Sequence, residues 1–209
     1  MTTDTKQVDR SHYDFTSYLG KNRWASVWHQ LDEVHRLAHG PVLEVGPGPG
    51  LFKTLATHFG VHVETVDLDP ELQPDHLASA TALPFADRAY DLVCAFQMLE
   101  HLPYGQSLAA FGEMARVARR HVVISLPDAR GAWRYVLHVP RIGVVERLFE
   151  RPVFGLHEHR FDGEHHWEVN KRGYGLQRIV ADLSRHAELL KTYRVSEMPY
   201  HRFFVFRRR

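Results

Sequence analysis

Apolar residues fall into two alternating kinds of stretch along this chain: short continuous runs, and longer segments where they recur every three or four positions. Trp24, Val27, Trp28, Leu31, Val34 and Leu37 follow helical spacing until His39-Gly40-Pro41, which predicts a helix laid on a sheet with its two tryptophans in the core. Val42-Leu43-Glu44-Val45 is a short strand, and Leu51-Phe52-Lys53-Thr54-Leu55 opens the next helix. A second strand runs over 61–67 and a short third one lies around His76-Leu77-Ala78. Residues 91–96 are apolar almost throughout, as in a strand covered on both faces of a parallel sheet. Leu108, Phe111, Met114, Ala115 and Val117-Ala118 make another helix, and 122–126 a fifth strand ended by Pro127. This alternation predicts an α/β fold with a doubly wound, mostly parallel sheet, whose ligands bind beyond the carboxyl ends of the strands.

Between Pro127 and Gly173 the pattern changes. Trp133, Tyr135, Val136, Leu137, Val139, Ile142, Val144-Val145, Leu148 and Phe149 precede a histidine-laden run over 156–168, and Pro140 interrupts the apolar part. Placed after the fifth strand, this insert is expected to be a helical lid over the mouth of the site. Its bases read as scattered rather than ranked on one face, which disfavours a membrane-surface helix. A helix over 174–183 and strands near 188–195 and 200–206 close the chain. At 209 residues the expectation is a single domain, 1–209, with an N-terminal cap at about 1–38 and the lid insert at about 128–172.

A net charge of +1 argues against a nucleic-acid partner. The one cysteine, Cys94, excludes a disulfide framework, and the sequence holds no long apolar span or signal segment, so a cytoplasmic location is the simplest reading. Candidate chemistry concentrates at VLEVGPGPG, residues 42–50. Glycine at 46, 48 and 50 permits positive φ and close approach of a ligand to the backbone at a helix N-terminus, and Pro47 and Pro49 stiffen the turn. The dinucleotide fingerprint GxGxxG would need a glycine where Leu51 stands. Asp67, at the tip of the second strand and about 20 residues beyond the glycines, can accept hydrogen bonds from a ribose diol.

Four blocks, E-x-G-P-G-P-G from Glu44, V-D-L-D-P at 66–70, L-P-F-A-D at 83–87 and Y-D-L-V-C-A-F-Q-M-L-E-H-L at 90–102, stand in an order and spacing that resembles the class I S-adenosylmethionine-dependent methyltransferases of the type 11 kind, over residues 40–127. The resemblance implies a Rossmann-like, seven-stranded sheet in which the last two strands form a hairpin with the final strand antiparallel. It also implies S-adenosyl-L-methionine as cofactor. Gly46, Gly48 and Gly50 would wrap its methionine end, Glu44 would hold the turn and the amino group, and Asp67 would take the ribose hydroxyls. Leu68 would lie on the adenine face. Family members often carry an acid in the block before L-P-F, where this chain has Ala78-Ser79-Ala80-Thr81, so adenine would rest on Ser79 and the backbone by Ala80. Phe96 and Gln97 end the fourth strand, facing the cofactor.

Methyl transfer from a sulfonium is an in-line displacement that needs alignment and, for a protonated nucleophile, a base. His101 and His166 are the candidate catalytic residues, and Tyr13, Tyr18, His165 and Trp167 the candidate substrate contacts. Some relatives in the superfamily bind a divalent cation through E-x-x-E-H, but Gln97 replaces the first acid here, so no metal is expected there. The lid histidines 157, 159, 165 and 166 offer ligands for zinc or iron, and a polar wall facing substrate is the preferred reading. The expected activity is methylation of an oxygen or nitrogen of a small molecule, with no nucleic-acid or membrane partner and an open oligomeric state. A nicotinamide-dependent oxidoreductase and a non-catalytic cofactor-binding module are the alternatives.

Overall fold

The computed structural model describes residues 15–152 and 155–209, so Tyr13 lies outside the described residues. Helices α1 (Phe15–Tyr18) and α2 (Lys21–Leu37) lead into β1 (Val42–Val45), α3 (Leu51–His58), β2 (Val63–Asp67) and β3 (His76–Leu77). Next come β4 (Tyr90–Phe96), α4 (Tyr104–Val117) and β5 (Ala118–Pro127). The insert holds β6 (Ala132–Val139) and β7 (Gly143–Glu150), and α5 (Leu176–Leu183), β8 (Ala187–Arg194) and β9 (His201–Arg208) complete the fold.

Seven strands form one sheet in the order β3-β2-β1-β4-β5-β9-β8. The first five pair in parallel, and β9 runs antiparallel to both β5 and β8. Alternation along the strands builds a core on each face. Leu43, Val45, Val93, Val122, Phe204 and Phe206 join the core that includes Phe111 and Met114 of α4 and Ile179 of α5. Val42, Leu92, Cys94, Val123, Phe203 and Val205 join Val34 of α2 and Phe52 of α3 on the opposite face. A side-chain period of two therefore sends Glu44 and His201 to the α2 side.

Three expectations are corrected. The alternation of strand and helix is incomplete: a three-residue 3-10 turn, Pro70–Leu72, links β2 to β3, and a loop links β3 to β4. Proline at its first position starts that turn and Gln73 at φ 50 ends it. Trp24 and Trp28 are about half exposed, because the buried face of α2 is Ser26, Val27, Gln30, Glu33 and Val34. The insert is not helical: β6 and β7 form an antiparallel hairpin, with Pro140 in its connection.

Candidate functional site

The carboxyl ends of β1, β2, β4 and β5 lie side by side. Val45 pairs with Val66, Glu44 with Cys94 and Phe96 with Ser125. The ladder continues past the strands, since Gly46 N–H donates to the Val66 carbonyl at 3.0 Å and Gln97 N–H to the Ser125 carbonyl at 3.0 Å. Gly46, Asp67 and Gln97 thus stand at neighbouring strand tips. Gln97 takes φ 53, a left-handed conformation costly for a side chain, and its Nε2 donates to Ser125 Oγ at 3.1 Å.

Gly46, Gly48 and Gly50 adopt φ of 71, 53 and 72, and Gly50 caps α3 in the left-handed conformation. A Cβ on Gly46 would stand 2.3 Å from Met98 Cγ, so this glycine is required by both its dihedral and its neighbour. A partly open cavity lies on the turn. Glu44 with Gly46–Pro49 lines it from β1 and the turn, and Phe96 and Gln97 line it from the end of β4 and just beyond. Arg23, Val27 and Gln30 of α2, with Tyr18 and His201, complete the wall.

Glu44 is the least comfortable group in this wall. It is buried, its Oε2 has no hydrogen-bond partner, and burial pushes its pKa up to about 8. His201 shares a 2.7 Å hydrogen bond between Nδ1 and Ser26 Oγ, while Nε2 has no partner. Burial, with the charge of Arg23 adding to it, lowers His201 to about 3, so the ring is neutral. Asp67 Oδ1 accepts from the Asp69 N–H at 2.9 Å, and burial raises this acid above the ordinary range. Leu68 is 43% exposed, an apolar surface open beside Asp67. Ala78 and Ala80 pack against the core, and Ser79 Oγ is engaged with Thr81.

A second polar cluster centres on Glu100, close enough to Tyr18 and Arg23 of the cavity wall to interact with them electrostatically. Glu100 is wholly buried, neither carboxyl oxygen has a partner, and burial raises it to about 8. The His101 and His165 rings are 5.1 Å apart. His101 Nδ1 donates to the Glu164 carbonyl at 3.0 Å, and His165 Nδ1 meets Glu168 Oε1 at 3.1 Å. Burial works against the charge of His165, but the hydrogen bond to Glu168 and the charges of Glu100 and Asp162 leave its pKa raised. Tyr200 Oη also donates to Glu168. Among the described residues, ligand atoms of Glu100, His101 and His165 lie within 4.8 Å of one another, as do those of Asp162, His165 and Glu168, two sets that could hold a metal. His157 and His159 belong to neither set, and His159 Nε2 instead donates to the His165 carbonyl.

The structure thus brings Tyr18 to the cavity and His101 together with His165 beside it. The His166 ring lies 4.5 Å from Phe161, and its backbone N–H donates to the Glu100 carbonyl. Trp167 is corrected from substrate contact to core. It is 1% exposed, its indole N–H donates to Ser107 Oγ at 2.9 Å, and Tyr104 meets it edge-on. Arg23, Gln30 and His201 escaped the sequence reading. The available signal was a polar stripe, Arg23 and Gln30, continuing the helical face of Val27 and Val34.

Comparisons to known proteins point to the same class of fold. A family model described as a methyltransferase domain matches residues 19–185. An uncharacterized methyltransferase of Mycolicibacterium paratuberculosis is 34% identical over 107 residues, covering 43% of this chain and 41% of that protein. The chain therefore spans less than half the length of this curated relative. A crystal structure of a protein from Pyrococcus horikoshii OT3 superposes with a TM-score of 0.64 at 14% identity, covering 97% of this chain and 100% of the other. The 1,6-didemethyltoxoflavin-N1-methyltransferase of Burkholderia thailandensis, solved with 1,6-didemethyltoxoflavin and S-adenosylhomocysteine, gives 0.56 at 15% identity, covering 98% and 92%. The chain belongs to the methyltransferase domain family, and its fold is that of the class I S-adenosylmethionine-dependent enzymes.

Proposed function

We propose that this chain binds S-adenosylmethionine across the tips of β1, β2 and β4 and transfers its methyl group to an oxygen or nitrogen of a small molecule. The observation that carries this reading is Glu44: a buried carboxyl without a partner at Oε2, under a glycine turn with positive φ, lining a partly open cavity at the strand tips. The residues fit the cofactor. Glu44 would pair with its ammonium, Gly46, Gly48 and Gly50 would follow the methionine end, and Gln97 would border the sulfur. Asp67 would accept from the ribose hydroxyls, with Leu68, Ser79, Ala80 and Phe96 around the adenosyl group.

When bound, S-adenosylmethionine supplies an electrophilic methyl group on a sulfonium. The chain's own work is to orient the acceptor, exclude water and take a proton. Tyr18 and Arg23 line the same cavity as Glu44. His101, held through Nδ1 and paired with His165 beside Glu100, is the proposed proton acceptor, and His166 is a second candidate. The 1,6-didemethyltoxoflavin bound to the Burkholderia enzyme supports a small-molecule acceptor.

Titration calorimetry tests the reading in two ways. At pH 7 a Glu44 with pKa about 8 is mostly protonated, and pairing with an ammonium returns it to the carboxylate. Binding of S-adenosylmethionine should therefore release up to about one proton, seen as an enthalpy that depends on the buffer. Glu44→Gln should abolish that release, and Asp67→Ala should weaken binding by about 10- to 100-fold, as expected for lost hydrogen bonds to a charged group. Unchanged affinity in Asp67→Ala would remove the ribose assignment. Release of S-adenosylhomocysteine over a panel of phenols, amines and carboxylic acids separates an enzyme from a binding module.

A further inference from the structure

The hairpin of the insert carries an exposed face that the site does not use. Cross-strand pairs put Trp133 opposite Phe149, Tyr135 opposite Arg147 and Leu137 opposite Val145 on one face. The other face holds Arg134, Val136 and His138 with Leu148, Glu146 and Val144. That second face is tied to the domain at its base. Glu146 meets Arg134 at 2.6 Å and also Ser196, Arg134 reaches Glu197 at 3.8 Å, and Glu150 reaches Arg202 at 3.4 Å.

The first face points away from these anchors and is apolar. Trp133, Tyr135, Leu137 and Phe149 are all about half exposed or more, and Ile142 in the connection is 75% exposed. As strands the acids sort to one face, with Arg134 paired to Glu146 on that same face. Both acids of the hairpin, Glu146 and Glu150, share the tied face, while Arg147 lies on the apolar face and Arg151 stacks over Trp133 at 5.7 Å. Arg141 sits in the connection beside Ile142.

We propose that the β6–β7 hairpin docks this protein peripherally on an anionic lipid surface. The charge pattern selects that occupant. A second copy laid face to face would bring Arg147 and Arg151 near their own images with no carboxylate on that face to offset them. Phosphate headgroups would neutralise these guanidinium groups, the Trp133 and Tyr135 rings suit the headgroup boundary, and Leu137 and Ile142 are placed to enter the first layer of acyl chain. Docking of this kind needs no spanning helix, and no described helix is long and apolar enough to cross a membrane.

Co-sedimentation of the full chain with vesicles tests the proposal. Vesicles of phosphatidylcholine with phosphatidylglycerol should bind about 100-fold more tightly than phosphatidylcholine alone, the combined effect of about three arginines near an anionic surface. Added salt should weaken that binding. Arg141→Glu with Arg147→Glu, and separately Leu137→Asp with Ile142→Asp, should each abolish it with an unchanged melting temperature. As a check without charge reversal, brominated lipid should quench tryptophan fluorescence less in Trp133→Phe than in the wild type. Failure to bind either vesicle, equal binding to both, or a dimer lost in the Leu137→Asp, Ile142→Asp variant would each overturn the proposal, the last by assigning the face to a second copy.

Discussion

Gly46→Ala is expected to be the most damaging single methyl group in the site, lowering stability by about 2 to 5 kcal/mol. Two costs combine. A side chain held at φ 71 pays about 1 to 2 kcal/mol, and a Cβ 2.3 Å from Met98 Cγ forces that side chain out of a filled core, at a further cost of about 1 to 3 kcal/mol. In a domain of this size the melting temperature should fall by roughly 5 to 15 °C. Gly50→Ala is the matched control. Its φ is 72, but nothing lies within 4 Å of the added Cβ, so only the backbone cost, about 1 to 2 kcal/mol, should register. Equal losses in the two variants, read by urea unfolding, would show that Met98 does not fix the turn.

The second large effect is a stability that declines between about pH 6.5 and 8. Glu44 and Glu100 have folded values of about 8 against an ordinary carboxylate value in the unfolded chain, so the folded state holds protons that the unfolded state has lost. Their stabilising contribution is complete below the unfolded value and disappears as pH rises through about 8. His201 acts in the opposite sense. With a folded value of about 3, it costs stability once the unfolded histidine protonates, below about 6.5. Above 6.5 the two acids act without that opposition, and each should remove about 1.4 kcal/mol per pH unit. Urea unfolding from pH 6.5 to 8 should show the decline, and Glu44→Gln or Glu100→Gln should each remove about half of it. A flat profile in the wild type would mean that neither carboxyl is protonated in the folded chain.

These two groups also show how far the sequence could be read. The turn at 46–50 and the strand at 90–96 are legible because backbone geometry dictates residue type there: glycine for positive φ, continuous apolar residues for a strand covered on both faces. The antiparallel last strand came from the family resemblance, and the structure agrees with it. The insert was misread because its alternation, Trp133, Tyr135, Leu137, Val139, is interleaved with Val136, Val144 and Leu148, which blur a period of two. Trp24 and Trp28 misled because size was taken for burial, when the helix turned its smaller and more polar side inward. Arg23, Gln30 and His201 line one cavity with Glu44 only once α2 is laid over the sheet, and the polar stripe of α2 does not by itself say which strands it crosses. Trp167 lies in a polar run, yet it fills core between α4 and the insert, where Ser107 satisfies its N–H.

The most direct measurement is a crystal structure of the chain with S-adenosylhomocysteine. The account predicts the ribose hydroxyls on Asp67, the amino group beside Glu44, and the sulfur between the glycine turn and Gln97, facing Tyr18 and Arg23. A ligand bound elsewhere, or bound here with Asp67 and Glu44 making no contact to it, would contradict it.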